Sequence, residues 1–399
     1  MKQGYKQSPL GPIPEDWEVR RLGEIGEVLM CKRIMKYQTD SCGDIPFFKI
    51  GTFGGKPDAY ISREVFDEYK AKYSYPKVGD VLISAAGTIG RSVIFDGTPS
   101  YYQDSNIVWI DNDNKQLLNK YLYYYYSTIN WITDTGTIPR LYNGALKAIQ
   151  IPTPPIEQQK RIVSILELWD TAIEKQTALI EKFTLRKRGL MQQLITGKKR
   201  LKGFSGEWKR IPIKDFAKEV SIRNSNREDH IVLSCTKYDG LVPSLEYFGK
   251  KIYSDDLSSY KKIPQRHFAY ATNHIEEGSI GYQSKYEQGL ISPMYTVFNT
   301  DRKMVDDTFL FAVFKSHHLI HLYKSMMEGS INRRGGLRWD SFSTIKINLP
   351  PLDEQNAIAS ALVNADKEIE LANKKLARLQ EEKRGLMQQL LTGKKRVKL

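Results

Sequence analysis

Two short stretches combine arginine with glycine, asparagine and aromatic residues, a composition that suits binding rather than catalysis. The first is GTIPRLYNGALK at residues 136–147, and the second is GSINRRGGLRW at residues 329–339. In an exposed loop, arginine can bridge phosphate groups or donate a forked pair of hydrogen bonds to guanine. We therefore predict nucleic-acid contacts here, with a solvated loop as the alternative for each single residue. The predicted contact residues are Arg140, Tyr142, Asn143, Asn332, Arg333, Arg334 and Arg338.

Other positively charged residues form smaller clusters, for which we predict the same kind of contact. These residues are Lys32, Arg33, Lys36, Arg91, Lys250 and Lys251, and Lys261 and Lys262 follow the last pair. Residues 1–153 carry a net charge of only +1. Binding by this part of the chain would therefore depend on local clustering or on a partner protein.

The sequence contains no pattern that indicates catalysis or metal binding. His317, His318 and His321 have a spacing that can hold a metal on a helix face, but the sequence has no HExxH motif. We predict that these three histidines are ordinary, partly exposed helix residues. Neither a phosphate-binding loop nor a cysteine pair with metal-ligand spacing is present. The chain is therefore predicted to be non-catalytic and to hold no cofactor or metal.

The sequence contains an internal duplication that predicts two equivalent units. GLMQQLITGKKR at residues 189–200 recurs as GLMQQLLTGKKR at residues 385–396, an offset of 196 residues. PTPPIEQQKRIVSIL from Pro152 aligns with NLPPLDEQNAIASAL from Asn348 at the same offset. A Gly-[Ser/Thr]-Ile-Gly sequence, which we interpret as a tight turn between strands, occurs at Gly87 and again at Gly278. Each unit is about 195 residues, which is longer than the roughly 20–50 residues of a solenoid repeat.

Each unit ends in about 40 proline-free residues that predict a long helix. Apolar residues recur there at alternating steps of four and three, as in a coiled-coil seam. The exceptions are lysine at the steps 187 and 383 and glutamine at the step 176. Each helix lacks a partner for its apolar stripe, and chain tracing favours antiparallel pairing of the two. The predicted seam residues are Ile162, Leu166, Trp169, Ile173, Ile180, Phe183, Leu190 and Leu194 in the first helix, and Ile358, Leu362, Ile369, Leu376, Leu379, Leu386 and Leu390 in the second.

These patterns predict an α+β fold in four segments. Two globular domains of mixed strands and short helices, related by pseudo-symmetry, are joined by two long helices that form an antiparallel coiled coil. The segments are a first recognition domain at 1–153, a central helix at 154–202, a second recognition domain at 203–349 and a C-terminal helix at 350–399.

The charge of the chain favours a polyanionic partner. The net charge is +14, and the two helical segments together contribute +9 of it. A basic chain without a membrane signature most commonly binds nucleic acid, although a solubilising surface is the alternative. No apolar run approaches the length of about 18–20 residues that spans a bilayer. The three cysteines, Cys31, Cys42 and Cys235, indicate no disulfide framework, so a reducing cytoplasm is the simplest expectation.

The chain resembles the specificity (S) subunit of type I restriction–modification systems over its whole length. The resemblance depends on the twofold occurrence of several motifs in one order. These motifs are IPEDWEVRRLGEI, GDVLISAAGTIGRSVIF, IPTPPIEQQKRI with LPPLDEQNAI, GSIGYQSKYEQGLISPMYTVF, and both GLMQQL-[IL]-TGKKR segments.

The resemblance implies a non-catalytic DNA reader. Each target-recognition domain would read one half of a split, asymmetric site in double-stranded DNA, and the helices would set the gap. The implied partners are two adenine-specific methyltransferase subunits and an ATP-driven endonuclease/translocase subunit. S-adenosylmethionine, ATP and magnesium would belong to those partners and not to this chain.

Two other classes of function are alternatives to a DNA reader. The first is a coiled-coil adaptor that joins proteins and whose charge only aids solubility. A DNA reader loses affinity for duplex DNA as the salt concentration rises, whereas an adaptor does not bind duplex DNA at all. A salt titration of duplex binding therefore separates the two. The second is a stand-alone methyltransferase, which is rejected because the sequence has no cofactor motif.

Overall fold

The computed structural model describes residues 3–131, 140–328 and 336–398. The chain divides into two compact units. The first contains Met1–Thr177 and Lys374–Leu399, and the second contains Ala178–Asn373. Each unit therefore includes the beginning of one long helix and the end of the other. The predicted contacts Asn332, Arg333 and Arg334 lie outside the described residues.

The first unit is a mixed α/β structure, as predicted. Its described strands are β1 (Tyr5–Ser8), β2 (Gly11–Pro14), β3 (Glu18–Arg21), β4 (Val28–Met30), β5 (Ile45–Phe48), β6 (Tyr60–Ile61), β7 (Val81–Ser84), β8 (Ser92–Ile94), β9 (Tyr101–Tyr102), β10 (Ile107–Ile110) and β11 (Gln150–Thr153). Its helices are α1 (Leu22–Ile25), α2 (Arg63–Lys72), α3 (Asn119–Tyr126), α4 (Asn143–Ala148) and the first part of α5 (Ile156–Ile195).

The central sheet of the first unit is antiparallel, in the order β4-β10-β7-β8. Strands β7 and β10 are fully buried, in keeping with their continuous apolar sequences VLIS and IVWI. Alternate side chains point to opposite faces of a sheet. Val108 accordingly packs in a core with Tyr121 of α3. Trp109 packs in a second core with residues of β5 and β9, which pair in parallel.

The second unit repeats this architecture. Its described strands are β12 (Lys209–Pro212), β13 (Ala217–Glu219), β14 (Ile231–Thr236), β15 (Gly240–Pro243), β16 (Lys261–Pro264), β17 (Phe268–Ala271), β18 (Ile280–Tyr282), β19 (Gln288–Ile291), β20 (Tyr295–Thr300) and β21 (Lys346–Leu349). Its helices are α6 (Ser244–Phe248), α7 (Asp307–Phe314), α8 (His317–Glu328), α9 (Trp339–Phe342) and the first part of α10 (Leu352–Leu390).

Sheet order shows which elements of the two units correspond. The central sheet of the second unit has the order β13-β20-β17-β18, again antiparallel, and β14 pairs in parallel with β19 as β5 does with β9. Phe298 of β20 packs with α7, and Val297 packs on the opposite face with Leu233 of β14. The two units therefore share one fold despite their different sequences.

Each long helix begins directly after a proline pair and ends shortly before a glycine. Helix α5 begins directly after Pro154-Pro155, and α10 begins directly after Pro350-Pro351. Two residues after α5 ends, Gly197 has φ of 69°, and Gly393 after α10 has φ of 72°. This left-handed conformation closes a helix and favours glycine.

The interpretation of Gly-[Ser/Thr]-Ile-Gly as a tight turn is correct for the first unit, where residues 87–90 join β7 to β8. In the second unit it is wrong for half of the motif, because Ile280 and Gly281 belong to β18. A Cβ atom at Gly281 would lie 2.7 Å from the backbone N of Leu241. Glycine is therefore needed there for close packing against β15 rather than for a turn.

Among the described residues, no helix combines the length and the apolar character that crossing a membrane requires. Long helices α5 and α10 are amphipathic instead, with exposed charged residues along both.

Candidate nucleic-acid interface

In the first unit, the segments of α5 and α10 pack against each other in an antiparallel direction. Asp170 accepts a hydrogen bond from the Lys383 ammonium group, while Leu166, earlier in α5, shares a core with Leu390, later in α10. Tyr124 of α3 donates a hydrogen bond of 2.6 Å to Asp170. Burial and this carboxylate raise the pKa of Tyr124. Helix α3 of the globular part therefore contacts the helix pair at Lys383, the seam lysine of this unit.

The second unit contains the matching helix contacts. Lys187 forms an ion pair with Asp366, and the adjacent Arg186 pairs with Glu368. Asp366 and Lys187 are 196 residues from Asp170 and Lys383, respectively. The two seam lysines thus occupy equivalent places and each meets an aspartate of the opposite helix. Charged residues at a seam fix the register of paired helices.

None of the predicted seam residues is fully exposed. Six are buried, namely Ile162, Leu166, Leu194, Ile358, Leu362 and Leu390. The other nine are partly buried, namely Trp169, Ile173, Ile180, Phe183, Leu190, Ile369, Leu376, Leu379 and Leu386. Off the predicted steps, Leu168 and Leu371 are exposed by 69% and 64%, whereas Val163 and Ile195 are buried near the helix ends, where the globular domain also packs. The predicted steps therefore lie on the buried side of each helix, and this side is wider near the helix ends.

A buried glutamine anchors the start of each long helix to its globular domain. In the first unit, Gln159 accepts a hydrogen bond from the N–H of Leu118 and donates to the carbonyls of Gln116 and Pro154, each at 2.8 Å. In the second unit, Gln355 accepts from the N–H of Asp306 at 2.9 Å. It donates to Met304 at 3.0 Å and Pro350 at 2.9 Å. Both glutamines are completely buried. They fix the orientation of each domain on its own helix.

In each unit, a tryptophan and an arginine form polar contacts near the start of a long helix. In the second unit, the indole of Trp208 donates a hydrogen bond of 3.2 Å to the buried Glu354, which also forms an ion pair with Arg200. In the first unit, Trp17 donates to Gln158 at 2.9 Å, and Arg396 pairs with Asp16 at 2.8 Å.

Arg200 and Arg396 are the last residues of the two KKR sequences. These arginines are therefore engaged within their own units. The four lysines beside them, Lys198, Lys199, Lys394 and Lys395, are exposed.

The predicted contact residues of the first unit come together at one end of its central sheet. Met30 pairs with Val108, and Ser84 pairs with Ile107, so the ends of β4 and β7 lie beside the start of β10. The loop after β4 and the turn after β7 leave from this end. The N–H of Leu141 donates a hydrogen bond of 2.8 Å to the carbonyl of Ala85, which brings Arg140 and Tyr142 to the same place. This basic end carries Lys32, Arg33, Lys36, Arg91, Arg140, Tyr142 and Asn143, all exposed.

Some of these side chains have partners within the unit. Arg33 forms an ion pair of 2.8 Å with Asp104, and Arg91 donates a hydrogen bond of 2.8 Å to the carbonyl of Phe53. Lys32 lies over the ring of Tyr73, with its ammonium nitrogen 5.2 Å from the ring centroid. Tyr142 is 61% exposed. Such contacts hold the basic side chains in place, which favours binding by reducing the entropy lost on association.

The corresponding end of the second unit carries Arg338. The N–H of Leu337 donates a hydrogen bond of 2.8 Å to Thr272, just after β17, as Leu141 does just after β7. Lys250 and Lys251 lie on the exposed segment after α6, and Lys251 pairs with Asp255. The structure therefore does not bring Lys250 and Lys251 to the sheet end by any described contact.

Sequence reasoning missed one loop at this end. Residues 221–229 follow β13, as the loop with Arg33 follows β4, and they expose Arg223 and Arg227. Arg33 and Arg223 are 190 residues apart, close to the offset of 191 that relates the two glycine motifs. That offset was the available signal, but the loop sequences have no similarity that would draw attention to it.

The described residues offer little that suits catalysis. Burial raises the pKa of the Cys31 and Cys235 thiols to about 12, so neither is a thiolate near neutral pH. His317, His318 and His321 lie exposed on α8, as expected for ordinary helix residues. His274, Glu276 and Glu277 offer ligand atoms within 4.8 Å of one another, but two of the three are exposed.

The chain thus consists of two units of one fold, and exposed basic residues lie at one end of the first unit's central sheet. Known proteins share this organisation. The family model of the type I restriction modification DNA specificity domain matches residues 14–182 and 278–381, more than half of the chain. The chain therefore belongs to this family, whose members recognise DNA sequences for type I restriction–modification systems.

Two relatives illustrate the range of similarity. A putative type I restriction enzyme specificity subunit of Haemophilus influenzae, S.HindORF215P, is 62% identical over 168 residues, 42% of this chain and 44% of that protein. The match thus spans less than half of that relative. The putative MjaX specificity subunit of Methanocaldococcus jannaschii is 28% identical over 451 residues, covering 100% of this chain and 98% of that protein.

Solved structures show the same fold at low identity. The crystal structure of a type I restriction–modification S subunit from M. genitalium is 16% identical and has a TM-score of 0.53, covering 94% of this chain and 96% of that one. A chain from a study of complex assembly and conformational transition in a type I system is 14% identical, with a TM-score of 0.58 and coverage of 96% and 99%.

Proposed function

We propose that this chain is the non-catalytic DNA-recognition subunit of a type I restriction–modification complex. Each unit reads one half of a bipartite, asymmetric site in double-stranded DNA. The observation that carries this proposal is the convergence of seven exposed basic and polar residues at one end of the first unit's central sheet. The division of labour also explains why the two units share a fold but differ in the loops at their sheet ends.

The long helices set the gap between the two half-sites. In both units, the helix segments run antiparallel and place a lysine–aspartate pair at equivalent positions. A continuous antiparallel coiled coil formed by α5 and α10 would keep the readers at a constant separation. For readers on one face of DNA, this separation is about one helical turn, roughly 34 Å.

The helix pair also docks two adenine-methyltransferase subunits, and an endonuclease/translocase subunit joins the complex. The near-identical GLMQQL-[IL]-TGKKR segments support two equivalent docking positions, because a shared partner requires a shared surface. S-adenosylmethionine, ATP and magnesium are used by those partners in the cytoplasm. An adaptor without affinity for DNA is not favoured, since the matched family is defined by DNA specificity.

Salt dependence tests the proposed DNA contacts. Replacing Lys32 and Lys36 with alanine is expected to weaken binding to every duplex sequence by a similar factor. It should also reduce the slope of log K against log salt by about 2, because each lost phosphate contact contributes about 0.9. The measurement is a duplex-binding titration at several salt concentrations.

The matched control replaces Lys175 and Lys182, two exposed lysines of α5, and should leave the slope unchanged. Equal slopes for the wild type and the Lys32/Lys36 variant would show that the basic end does not contact phosphates. No measurable duplex binding by the wild-type complex would favour the adaptor.

A further inference from the structure

A second candidate reading element is the loop at residues 221–229, between β13 and β14. Three backbone contacts attach its first half to β16 and to Tyr260, which directly precedes this strand. The N–H of Lys262 donates a hydrogen bond of 2.7 Å to the carbonyl of Ile222, and the N–H of Asn224 donates one of 2.8 Å to the carbonyl of Tyr260. Between them, Arg223 and Lys261 form an antiparallel β-bridge through their backbones. The loop therefore leaves the sheet in a fixed direction.

The second half of the loop is held by a buried asparagine. Asn224 is completely buried, and its side chain donates a hydrogen bond of 2.9 Å to the carbonyl of Glu228 and accepts one of 3.1 Å from the N–H of Glu228. The N–H of Arg227 donates to the carbonyl of Asn224 at 2.9 Å, which closes a tight turn. The amide nitrogen and the amide oxygen of the Asn224 side chain are both hydrogen-bonded within the turn. The turn therefore forms without a bound ligand.

This turn presents Asn226 and Arg227 to the solvent, and both are exposed. Arg227 adopts φ of 52°, the left-handed conformation that is unfavourable for a residue with a side chain. Glycine would be the better residue for the fold at this position. Ser105, Asn114 and Arg266 also have positive φ, so this strain alone does not assign a role; it makes Arg227 a candidate because the residue is exposed on a preformed turn.

Nearby carboxylates are occupied by other partners. Hydrogen bonds from Lys262 and His230 lower the pKa of Glu228 to about 2, so its charge is compensated within the unit. The side chain of Asp256 accepts a hydrogen bond of 3.0 Å from the N–H of Ser258. That bond and, to a smaller extent, the charge of Arg227 lower the pKa of Asp256. Among the described residues, Arg227 forms no direct ion pair.

The loop occupies the same place in its unit as the cluster of Lys32, Arg33 and Lys36. The first loop follows β4, an edge strand that pairs with β10, and the second follows β13, an edge strand that pairs with β20. Both loops leave from the same end of the central sheet. Their sequences, CKRIMKYQ and SIRNSNRED, are unrelated. A shared position with different side chains is expected of two readers of different half-sites.

We infer that Asn226 and Arg227 determine specificity in the second unit by contacting base edges of its half-site. This inference depends on the proposed DNA-reading function. Arginine forks onto guanine and asparagine onto adenine in the major groove, where each such pair gives roughly tenfold to hundredfold discrimination against a wrong base.

The test replaces Arg227 with glycine in the full chain, co-expressed with the methyltransferase subunits of its own system. The modified adenines in the host DNA are then mapped by sequencing. Arg227→Gly removes the guanidinium and relieves the left-handed strain, so the melting temperature should stay the same or rise. We expect one or more bases in one half of the methylated motif to become degenerate, and the other half and the gap to stay unchanged. Asn226→Ala should relax an adjacent base of the same half.

Two further variants complete the experiment. Arg227→Lys retains the charge but not the planar fork, so it should relax the same base as Arg227→Gly. Arg210→Ala removes an equal charge from an exposed position of β12 and should leave the motif intact. The inference is overturned if Arg227→Gly keeps the wild-type motif, or if Arg227→Lys restores it, which would indicate a phosphate contact. A wild-type complex that methylates without a bipartite motif would instead refute the proposed function itself.

Discussion

Replacing Gln355 with leucine is expected to lower the free energy of unfolding of the second unit by about 3–5 kcal/mol. The two side chains have similar volumes, so packing changes little. The change removes three hydrogen bonds and leaves the N–H of Asp306 and the carbonyls of Met304 and Pro350 without their buried partner. Asp306 also caps helix α7, by accepting a hydrogen bond of 2.7 Å from the N–H of Phe309. Chemical denaturation of the purified chain measures the effect.

The neighbouring residue provides the control for this prediction. Asn356 is exposed on the same turn of α10, and Asn356→Leu should change the stability by no more than about 0.5 kcal/mol. Gln159→Leu should act on the first unit as Gln355→Leu acts on the second, because its three hydrogen bonds are equivalent. A loss for Gln355→Leu that is no larger than the loss for Asn356→Leu would show that the buried glutamine does not anchor the helix.

Lengthening both long helices by one heptad is expected to change the gap that the complex tolerates between half-sites. Seven residues add about 10 Å to a helix, which corresponds to about three base pairs of DNA. A whole heptad in both helices preserves the steps of four and three, so the apolar seam stays in register. Insertion after Thr177 and after Asn373 leaves every described ion pair of the seam within its own unit. Methylation of duplexes with a series of gap lengths measures the outcome.

A heptad inserted into α5 alone is the matched control. It would shift Lys187 away from Asp366 relative to the remainder of the seam, and stable recognition of both half-sites should be lost. If the doubly lengthened chain instead prefers the wild-type gap, the helices do not act as the ruler. Loss of methylation at every gap length would equally contradict the prediction, provided that the variant retains its secondary structure.

The long helices could be predicted because their signals are local, and the duplication because its two GLMQQL-[IL]-TGKKR copies are nearly identical in sequence. Proline pairs, apolar steps and the terminal glycines lie within each helix or beside it. The partners of the seam lysines could not be predicted, because Lys383 meets Asp170 only after the two helices pair in one register. Gln159 and Gln355 were not singled out for the same reason. Their hydrogen bonds reach loops more than 40 residues earlier in the chain.

The candidate interface shows the same limit. Arg140 and Arg33 were predicted from composition, but their convergence depends on β4 and β7 both pairing with β10. Strand order of this kind is set by long-range packing and cannot be predicted from any one segment of the sequence. The importance of Arg227 depends on a positive φ angle and on the buried Asn224, neither of which the sequence SIRNSNRED reveals.

The most direct test of the central claim is the methylation map of DNA modified by this chain with its own methyltransferase partners. Two readers at a constant separation predict a single asymmetric motif of two short halves, separated by a gap of fixed length and arbitrary sequence. An uninterrupted motif, a gap of variable length, or methylation without sequence preference would contradict the account.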